Sequence, residues 1–133
     1  MNAHDIAEAV RLYLAERLPG ISIHTSVDNM ELKAPYLLVQ ATSDTELVQG
    51  NHTWEMTLSL EYHTPAHDTE ARDTREGDGQ VVRAMCLPTA RRAINALAQN
   101  FYLYSIRLTS QERTEVQDAT FVQHATFRVV AQF

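Results

Sequence analysis

The ten residues Trp54–His63, WEMTLSLEYH, alternate strictly between apolar and polar side chains. The apolar side chains are Trp54, Met56, Leu58, Leu60 and Tyr62, and the polar ones are Glu55, Thr57, Ser59, Glu61 and His63. A period of two predicts a β-strand with one buried face, because a helix would spread the apolar side chains around its circumference. We interpret the stretch as an inner strand of an antiparallel sheet with one covered face. An edge strand used for binding fits the same pattern.

The segments before this strand predict a helix and two further strands. Ile6, Val10, Tyr13, Leu14 and Leu18 recur every three or four residues, which predicts an amphipathic helix ended by Pro19-Gly20. Alternation predicts a short strand over Ile21–Val27. Tyr36–Thr42 is apolar on both faces at its centre, as expected of a strand in the middle of a sheet. Thr45–Asn51 is interpreted as the loop of a hairpin with the Trp54 strand.

The segments after it predict a second helix and two more strands. Gln80–Asn100 has a helical period interrupted by Pro88. We favour a single kinked helix over a short turn before a helix that begins at Pro88 or Thr89. Phe101–Thr109 and Phe121–Phe133 alternate as strands, and Gln111–Ala119 is interpreted as a charged connection. The order α-β-β-β-α-β-β predicts one α+β domain over residues 1–133, with two layers, a mainly antiparallel sheet of about five strands and two helices on one face.

Eight side chains are expected in the buried core. They are Leu38, Trp54, Leu58, Leu60, Ile94, Leu97, Phe127 and Val129. Cys86 lies on the apolar stripe of the predicted second helix, which favours a buried thiol without a chemical role. It is the only cysteine, so a disulfide within the chain and a four-cysteine zinc site are excluded.

The amino-acid composition limits the kinds of partner that the chain is expected to bind. The formal net charge of −6 argues against a general phosphate-binding surface, although Arg83, Arg91 and Arg92 leave a local basic patch open. Residues 1–11 lack the basic start and apolar core of a signal peptide. No apolar run approaches the roughly 20 residues that span a bilayer, so no membrane partner is expected.

No catalytic, cofactor-binding or metal site is predicted, and we expect a protein that is not an enzyme. The four glycines are too scattered for a phosphate-binding loop, and no serine lies in a nucleophile motif. His63, His67 and Asp68 are suited to zinc by residue type but lack helical ligand spacing. Phe101, Tyr102 and Tyr104 could stack on bases, but core packing and strand propensity explain them more simply.

The segment Thr64–Gly79 is almost devoid of apolar side chains, and it predicts a long polar loop outside the core. Loops of this length in a compact domain usually have a function or are disordered. We expect this loop to reach a seam between subunits or the lumen of a ring, where its mixed charges find partners. The candidate contact residues are Asp68, Glu70, Arg72, Asp73, Arg75 and Glu76, together with Glu55 and Glu61 on the wet face of the central strand.

The whole chain resembles the tail terminator, or tail completion, proteins of long-tailed bacteriophages. The resemblance rests on the order of patterned segments rather than on one specific motif. Those segments are the helix ending in Leu18-Pro19-Gly20, the strand Pro35-Tyr36-Leu37-Leu38-Val39, the strand Trp54–His63, the helix Gln80–Gln99 and the pair Ser105-Ile106-Arg107-Leu108 and Ala125-Thr126-Phe127-Arg128-Val129. The long acidic segment Thr64–Gly79 and Pro88 depart from the family pattern.

The resemblance implies a structural protein of the virion neck, assembled in the host cytoplasm. Such proteins form a homohexameric ring that caps the tail tube, ends its polymerisation and offers a docking surface to the head–tail connector protein. DNA would pass through the ring without sequence-specific binding, which an acidic channel favours. The alternatives are another neck or connector protein, or a small cytoplasmic enzyme or ligand-binding domain that uses a helix–sheet cleft near Tyr13, Trp54 and Tyr104.

Overall fold

The computed structural model of the chain describes residues 3–25, 36–65, 79–116 and 120–133. Its helices are α1 (Ala3–Arg17), α2 (residues 79–86) and α3 (Ala90–Leu97). Its strands are β1 (Ile23–His24), β2 (Tyr36–Val48), β3 (Thr53–Pro65), β4 (Tyr102–Val116) and β5 (Thr120–Gln132).

Strand β3, which contains the alternating stretch, is the central strand of a five-stranded sheet with the order β1-β2-β3-β5-β4. It pairs antiparallel with β2 on one side and with β5 on the other. Strand β1 is only two residues long and pairs parallel with Leu37 and Leu38 of β2. The predicted α+β class and mainly antiparallel sheet are confirmed, as is the inner position of the strand.

The apolar side chains of β3 form the floor of the core. Met56, Leu58 and Leu60 are buried, and Leu58 pairs with Phe127 of β5, which is equally buried. Six of the eight side chains predicted in the core are buried, whereas Trp54 and Leu97 are partly buried and pack against its margin. Leu38 is buried on the opposite face, because its neighbours Leu37 and Val39 take the two core-facing positions of β2.

The helices cover one face of the sheet. Ile6, Val10 and Leu14 of α1 join the core, together with Met85 of α2 and Ile94 of α3. Spacings of four place the α1 side chains on one stripe, which the sheet buries. None of the described helices is both long enough and apolar enough to cross a membrane.

The helical region after residue 79 is two helices rather than the single kinked helix that the sequence favoured. Helix α2 ends at residue 86, and Leu87, Pro88 and Thr89 form a turn. Proline has no N–H to donate and its ring obstructs the preceding turn, so the helix stops instead of bending. Helix α3 then restarts with Ala90 N–H donating to the Leu87 carbonyl at 3.0 Å.

The β2–β3 hairpin is tighter than predicted. Thr45–Val48 belongs to β2, so the predicted loop Thr45–Asn51 is mostly strand and only residues 49–52 turn. Gly50 and His52 adopt positive φ angles of 84° and 62° there, and glycine accepts such a conformation without steric cost. The alternation that identifies a strand is missing at this end of β2. Residues 42–45 are all exposed, so polar side chains occupy both faces.

Strand β4 differs from the prediction in length and in register. It continues to Val116, so the first six of the nine residues of the predicted connection Gln111–Ala119 are strand. Register shifts occur between Leu103 and Ser105 and between Leu108 and Ser110, the signature of β-bulges. The first shift moves Tyr104 out of the alternation, and Leu103 rather than the flanking tyrosines is buried.

Candidate functional site

Most of the predicted contact residues cannot be placed. Asp68, Glu70, Arg72, Asp73, Arg75 and Glu76 lie outside the described residues, as do His67 of the possible metal set and most of the predicted loop. Within the described ranges, no three histidine, cysteine, aspartate or glutamate side chains gather as a metal site would require.

Glu55 and Glu61, the two remaining candidates, lie on the face of the sheet away from the helices. Glu55 forms a salt bridge with Arg128 of β5, across the strand pair. Glu61 lies 3.2 Å from the Nε2 atom of His63 on its own strand. Both carboxylates therefore have partners within the subunit. Their role in contacts between subunits stays a prediction.

This outer face carries a ladder of polar and aromatic contacts. The His63 ring stacks on Tyr36 of β2 with centroids 4.4 Å apart and planes 10° apart. His124 of β5 lies 2.7 Å from the Ser59 hydroxyl, and the Thr57 hydroxyl donates to Asp44 of β2 at 2.5 Å. Burial, reinforced by the negative charge of Glu61, raises the pKa of Tyr36. These are cross-strand pairs that stabilise a sheet, and they do not form a pocket.

The helix–sheet cleft proposed near Tyr13, Trp54 and Tyr104 does not form. Tyr13 is 2% exposed, and its hydroxyl donates to the Ala84 carbonyl at 2.5 Å, which ties α1 to α2. Tyr104 lies on the edge strand and is 49% exposed. Tyr13 therefore lies in the core and Tyr104 on the surface, so the two side chains do not line one cleft.

The predicted burial of Cys86 is wrong. Cys86 is exposed, because it is the last residue of α2 and the helical stripe on which it was placed ends there. Met85 and Ala84, the two residues before it, take the buried positions instead.

Cys86 lies at the rim of a groove at the sheet edge, which we call the edge groove. Its volume is about 330 Å³. It is lined by the α2–α3 corner and by β4, namely Met85, Cys86, Leu87, Pro88, Ala90, Arg91, Tyr104, Ser105 and Ile106. The exposed lining of the edge groove is divided about evenly between polar and apolar surface, and Arg91 lies in that lining. The sequence analysis missed it because both the helix break and the β4 bulge are needed to form it.

The aromatic residues beside the edge groove are only partly in the core. Phe101 packs on Phe133 with ring centroids 5.9 Å apart and is partly buried. Tyr102 and Tyr104 are about half exposed, and their rings meet edge to face at 5.0 Å. The prediction that these residues lie in a strand is confirmed. Packing in the core does not explain the presence of the two tyrosines, because their side chains are exposed. The Tyr104 hydroxyl donates to the Gln132 side chain at 2.7 Å.

The surroundings of the edge groove are basic. Residues 79–111 contain four arginines, Arg83, Arg91, Arg92 and Arg107, and no acidic residue. The Arg91 guanidinium donates to the Tyr102 hydroxyl at 3.1 Å and to the Leu103 carbonyl at 3.4 Å, which holds it at the edge of β4. The basic patch left open by the sequence therefore extends onto the edge strand.

The opposite edge of the sheet, where β2 turns into β3, is acidic. Residues 43–55, which we call the acidic hairpin, contain Asp44, Glu46 and Glu55 and no lysine or arginine. Leu47 lies within this hairpin on β2 and is 47% exposed. Strand β1 pairs only with Leu37 and Leu38, so no described strand pairs with that side of β2 beyond Leu38.

No protein-family model matches the chain, and no curated protein matches it in sequence. Its fold is similar to that of a chain in a solved structure described as "Virion of native gene transfer agent (GTA) particle". The TM-score is 0.64 at 13% sequence identity, and the similarity covers 98% of this chain and 92% of that one. At this identity the likeness establishes a shared fold over nearly the whole length of both chains.

Proposed function

We propose that the chain is a structural protein of a phage-like virion. The observation that carries the proposal is the shared fold, which extends over 98% of this chain and 92% of a chain from a gene transfer agent virion. A likeness over nearly the full length of both chains supports the same kind of role for both.

Within the virion, we propose that the chain is the tail terminator. In this role it forms a ring, expected to be a hexamer, on the last ring of the tail tube protein. The ring ends tube polymerisation, provides the docking surface for the head–tail connector protein and lets DNA pass through its centre. The net charge of −6 supports a channel that does not retain DNA, since like charges repel.

The different surfaces at the two edges of the sheet support assembly into a closed ring. A ring of identical subunits needs two different, complementary surfaces on each subunit, and a contact that does not close gives a filament instead. The chain has two such surfaces, since the basic edge groove and the acidic hairpin lie at opposite edges of one sheet. Surface charges of opposite sign on one molecule favour head-to-tail contacts between copies.

A tube-elongation assay tests the proposal. The purified chain is added to the tail tube protein of the same particle while tubes polymerise, and tube lengths and ends are measured by electron microscopy. We expect shorter tubes that end in a ring of this chain, and native mass spectrometry should give the mass of that ring. A chain that stays monomeric at every concentration and leaves tube length unchanged would disprove the terminator role. Binding to the connector protein instead of the tube would assign the chain to another neck position.

A further inference from the structure

Two surfaces described above, the edge groove and the acidic hairpin, carry exposed apolar side chains as well as opposite charges. Five large apolar side chains are exposed among the described residues: Leu12, Leu47, Leu87, Tyr102 and Tyr104. Three of them, Leu87, Tyr102 and Tyr104, lie at or beside the edge groove, and Leu47 lies on the acidic hairpin. Apolar side chains clustered on an otherwise polar surface mark an interaction site.

The two surfaces also lie at the same height on the sheet. Thr45 of β2 pairs with Glu55 of β3, Glu55 pairs with Val130 of β5, and Val130 pairs with Ser105 of β4. This row joins Thr45 of the acidic hairpin, two residues before Leu47, to Ser105 in the lining of the edge groove, and the row of Glu46, next to Leu47, reaches Leu103, two residues before Ser105. A second row joins Gln40 to Ser110 in the same way, through Ser59 and Thr126.

Among the described residues, no further strand pairs with the outer edge of β2 or of β4 between these two rows. On the β4 side, the Asn95 side chain occupies both backbone groups of Leu103, so the stretch without a described strand partner starts after that residue. On the β2 side, the pairing with β1 ends at Leu38. Three successive antiparallel pairings separate β2 from β4, so the two strands run in opposite directions. A copy placed beside the first without a shift along the strands would therefore continue the antiparallel sheet.

We propose that the occupant of the edge groove is the acidic hairpin of a second copy of this chain. In this seam Leu47 of one copy enters the edge groove of the next, Asp44 and Glu46 face Arg91 and Arg107, and β2 lies along β4. The contact is heterologous, and because its two halves lie on the same rows of the sheet, repeating it produces no rise along the strand direction. A contact without a rise closes into a ring when the rotation between successive copies closes, whereas a contact with a rise gives a helical filament. This inference rests on the ring proposed above and identifies the surface that joins its subunits.

Disulfide cross-linking tests the seam with a cysteine that the chain already has. Disulfides form only when two Cα atoms come within about 7 Å, so a cross-link reports close approach. The variant Leu47→Cys places a second cysteine on the hairpin, and Cys86 lies at the rim of the groove. Under mild oxidation we expect a ladder of covalent oligomers that ends at the ring number. Leu12→Cys, on α1, should give dimers at most. Leu47→Cys combined with Cys86→Ser should lose the ladder.

A mixing experiment tests the polarity of the seam. Leu87→Glu places a negative charge where the acidic hairpin should bind, and Leu47→Lys places a positive charge where the arginines should bind. Each variant, checked for a native thermal unfolding transition, should be monomeric by native mass spectrometry. A one-to-one mixture should form heterodimers through the one unaltered pair of surfaces, and it should regain rings of alternating variants, because the introduced lysine then faces the introduced glutamate.

The outcomes separate this inference from the function it rests on. Rings that form normally from both charge variants, with no Leu47→Cys ladder, would overturn the seam and leave the terminator role intact. A wild-type chain that forms no ring on the tail tube would disprove the terminator role, and the seam with it.

Discussion

The side chain of Asn95 pairs with the backbone of Leu103 as a neighbouring strand would. Its Nδ2 atom donates to the Leu103 carbonyl at 2.9 Å, and its Oδ1 atom accepts from the Leu103 N–H at 2.7 Å. Edge strands expose unpaired backbone groups that invite uncontrolled association, and covering them is a common remedy. Helix α3 supplies that cover at Leu103, near the start of β4.

Asn95→Ala should therefore destabilise the fold by about 1–3 kcal/mol, because two partly buried backbone groups lose their partners. Urea unfolding followed by circular dichroism measures the change in free energy. Gln99→Ala, an exposed position near the end of the same helical region, is the control and should change stability by less than about 0.5 kcal/mol. Equal effects of the two substitutions would show that the Asn95 contact contributes nothing.

Leu58→Ala should cost about 2–5 kcal/mol of unfolding free energy, through lost transfer energy and the cavity left at the centre of β3. Leu58 is completely buried and pairs with Phe127. Leu12→Ala is the matched control, because it removes the same atoms from a side chain that is 40% exposed. A loss below about 1 kcal/mol for Leu58→Ala would contradict the assignment of this face as the core.

Tyr13 should make stability depend on pH in the alkaline range. Burial raises the pKa of its hydroxyl above the ordinary value near 10, and the charge of Arg17 opposes part of that rise. As the pH passes about 10, the unfolded chain loses this proton before the folded one, so the stability that Tyr13 contributes is full below that pH and declines above it.

Tyr13→Phe separates this effect from the hydrogen bond to Ala84. Near neutral pH the variant should be less stable by about 0.5–1.5 kcal/mol, because the hydrogen bond is lost. Above pH 10 the difference from wild type should shrink, since phenylalanine has no proton to lose. Denaturant unfolding across the pH range measures the difference in unfolding free energy between the variant and wild type. A difference that stays constant with pH would refute the contribution of Tyr13 ionisation.

Cys86 should react quickly with a maleimide in the folded, isolated chain, since its side chain is exposed at the end of α2. Cys86→Ser should change the unfolding free energy by less than about 0.5 kcal/mol. Assembly into rings should slow the reaction, because the edge groove is then occupied. Mass spectrometry of timed samples gives both rates, and slow labelling of the monomer would argue that the thiol is covered.

Removal of Asp68–Glu76 should leave the domain folded and impair ring formation or docking to the tail tube. The deletion takes away the charged residues that the sequence assigns to subunit or lumen contacts, and it takes away no apolar side chain larger than that of Ala71. Circular dichroism checks the fold, and the tube-elongation assay checks function. Normal rings and normal tube capping would reduce the segment to a surface loop without a role in assembly.

Burial explains which parts of the fold were predictable from the sequence. The alternation in β3 and β5 identified their buried faces correctly, because one face of each strand meets a continuous core. The pattern failed at the sheet edges. There, a bulge at Tyr104 changes the face of each following residue without altering composition, and polar residues such as Thr45 are tolerated on both faces.

The candidate site was less predictable than the fold. The edge groove requires a helix break beside Pro88 and a bulge in β4, two local events whose combination no single periodic pattern reveals. Cys86 was misplaced for the same reason, since a helix assumed to continue through Pro88 would keep its apolar stripe. The charge contrast between residues 79–111 and residues 43–55 was visible in the sequence. Its relevance to assembly depends on the strand order, which places the two stretches at opposite edges of the sheet.

The position of β5 has a consequence for how the chain folds during synthesis. Strand β5 is the last strand in sequence, yet it lies between β3 and β4 and pairs with both along their lengths. Until β5 leaves the ribosome, β3 has a bare edge and β4 has no partner in the sheet. Strands β3 and β5 are separated in sequence by α2, α3 and β4, and contacts between segments so distant form late and slowly. The edge at β4, which we propose as one half of the seam, joins the rest of the sheet only through β5, so an unfinished chain would lack that half.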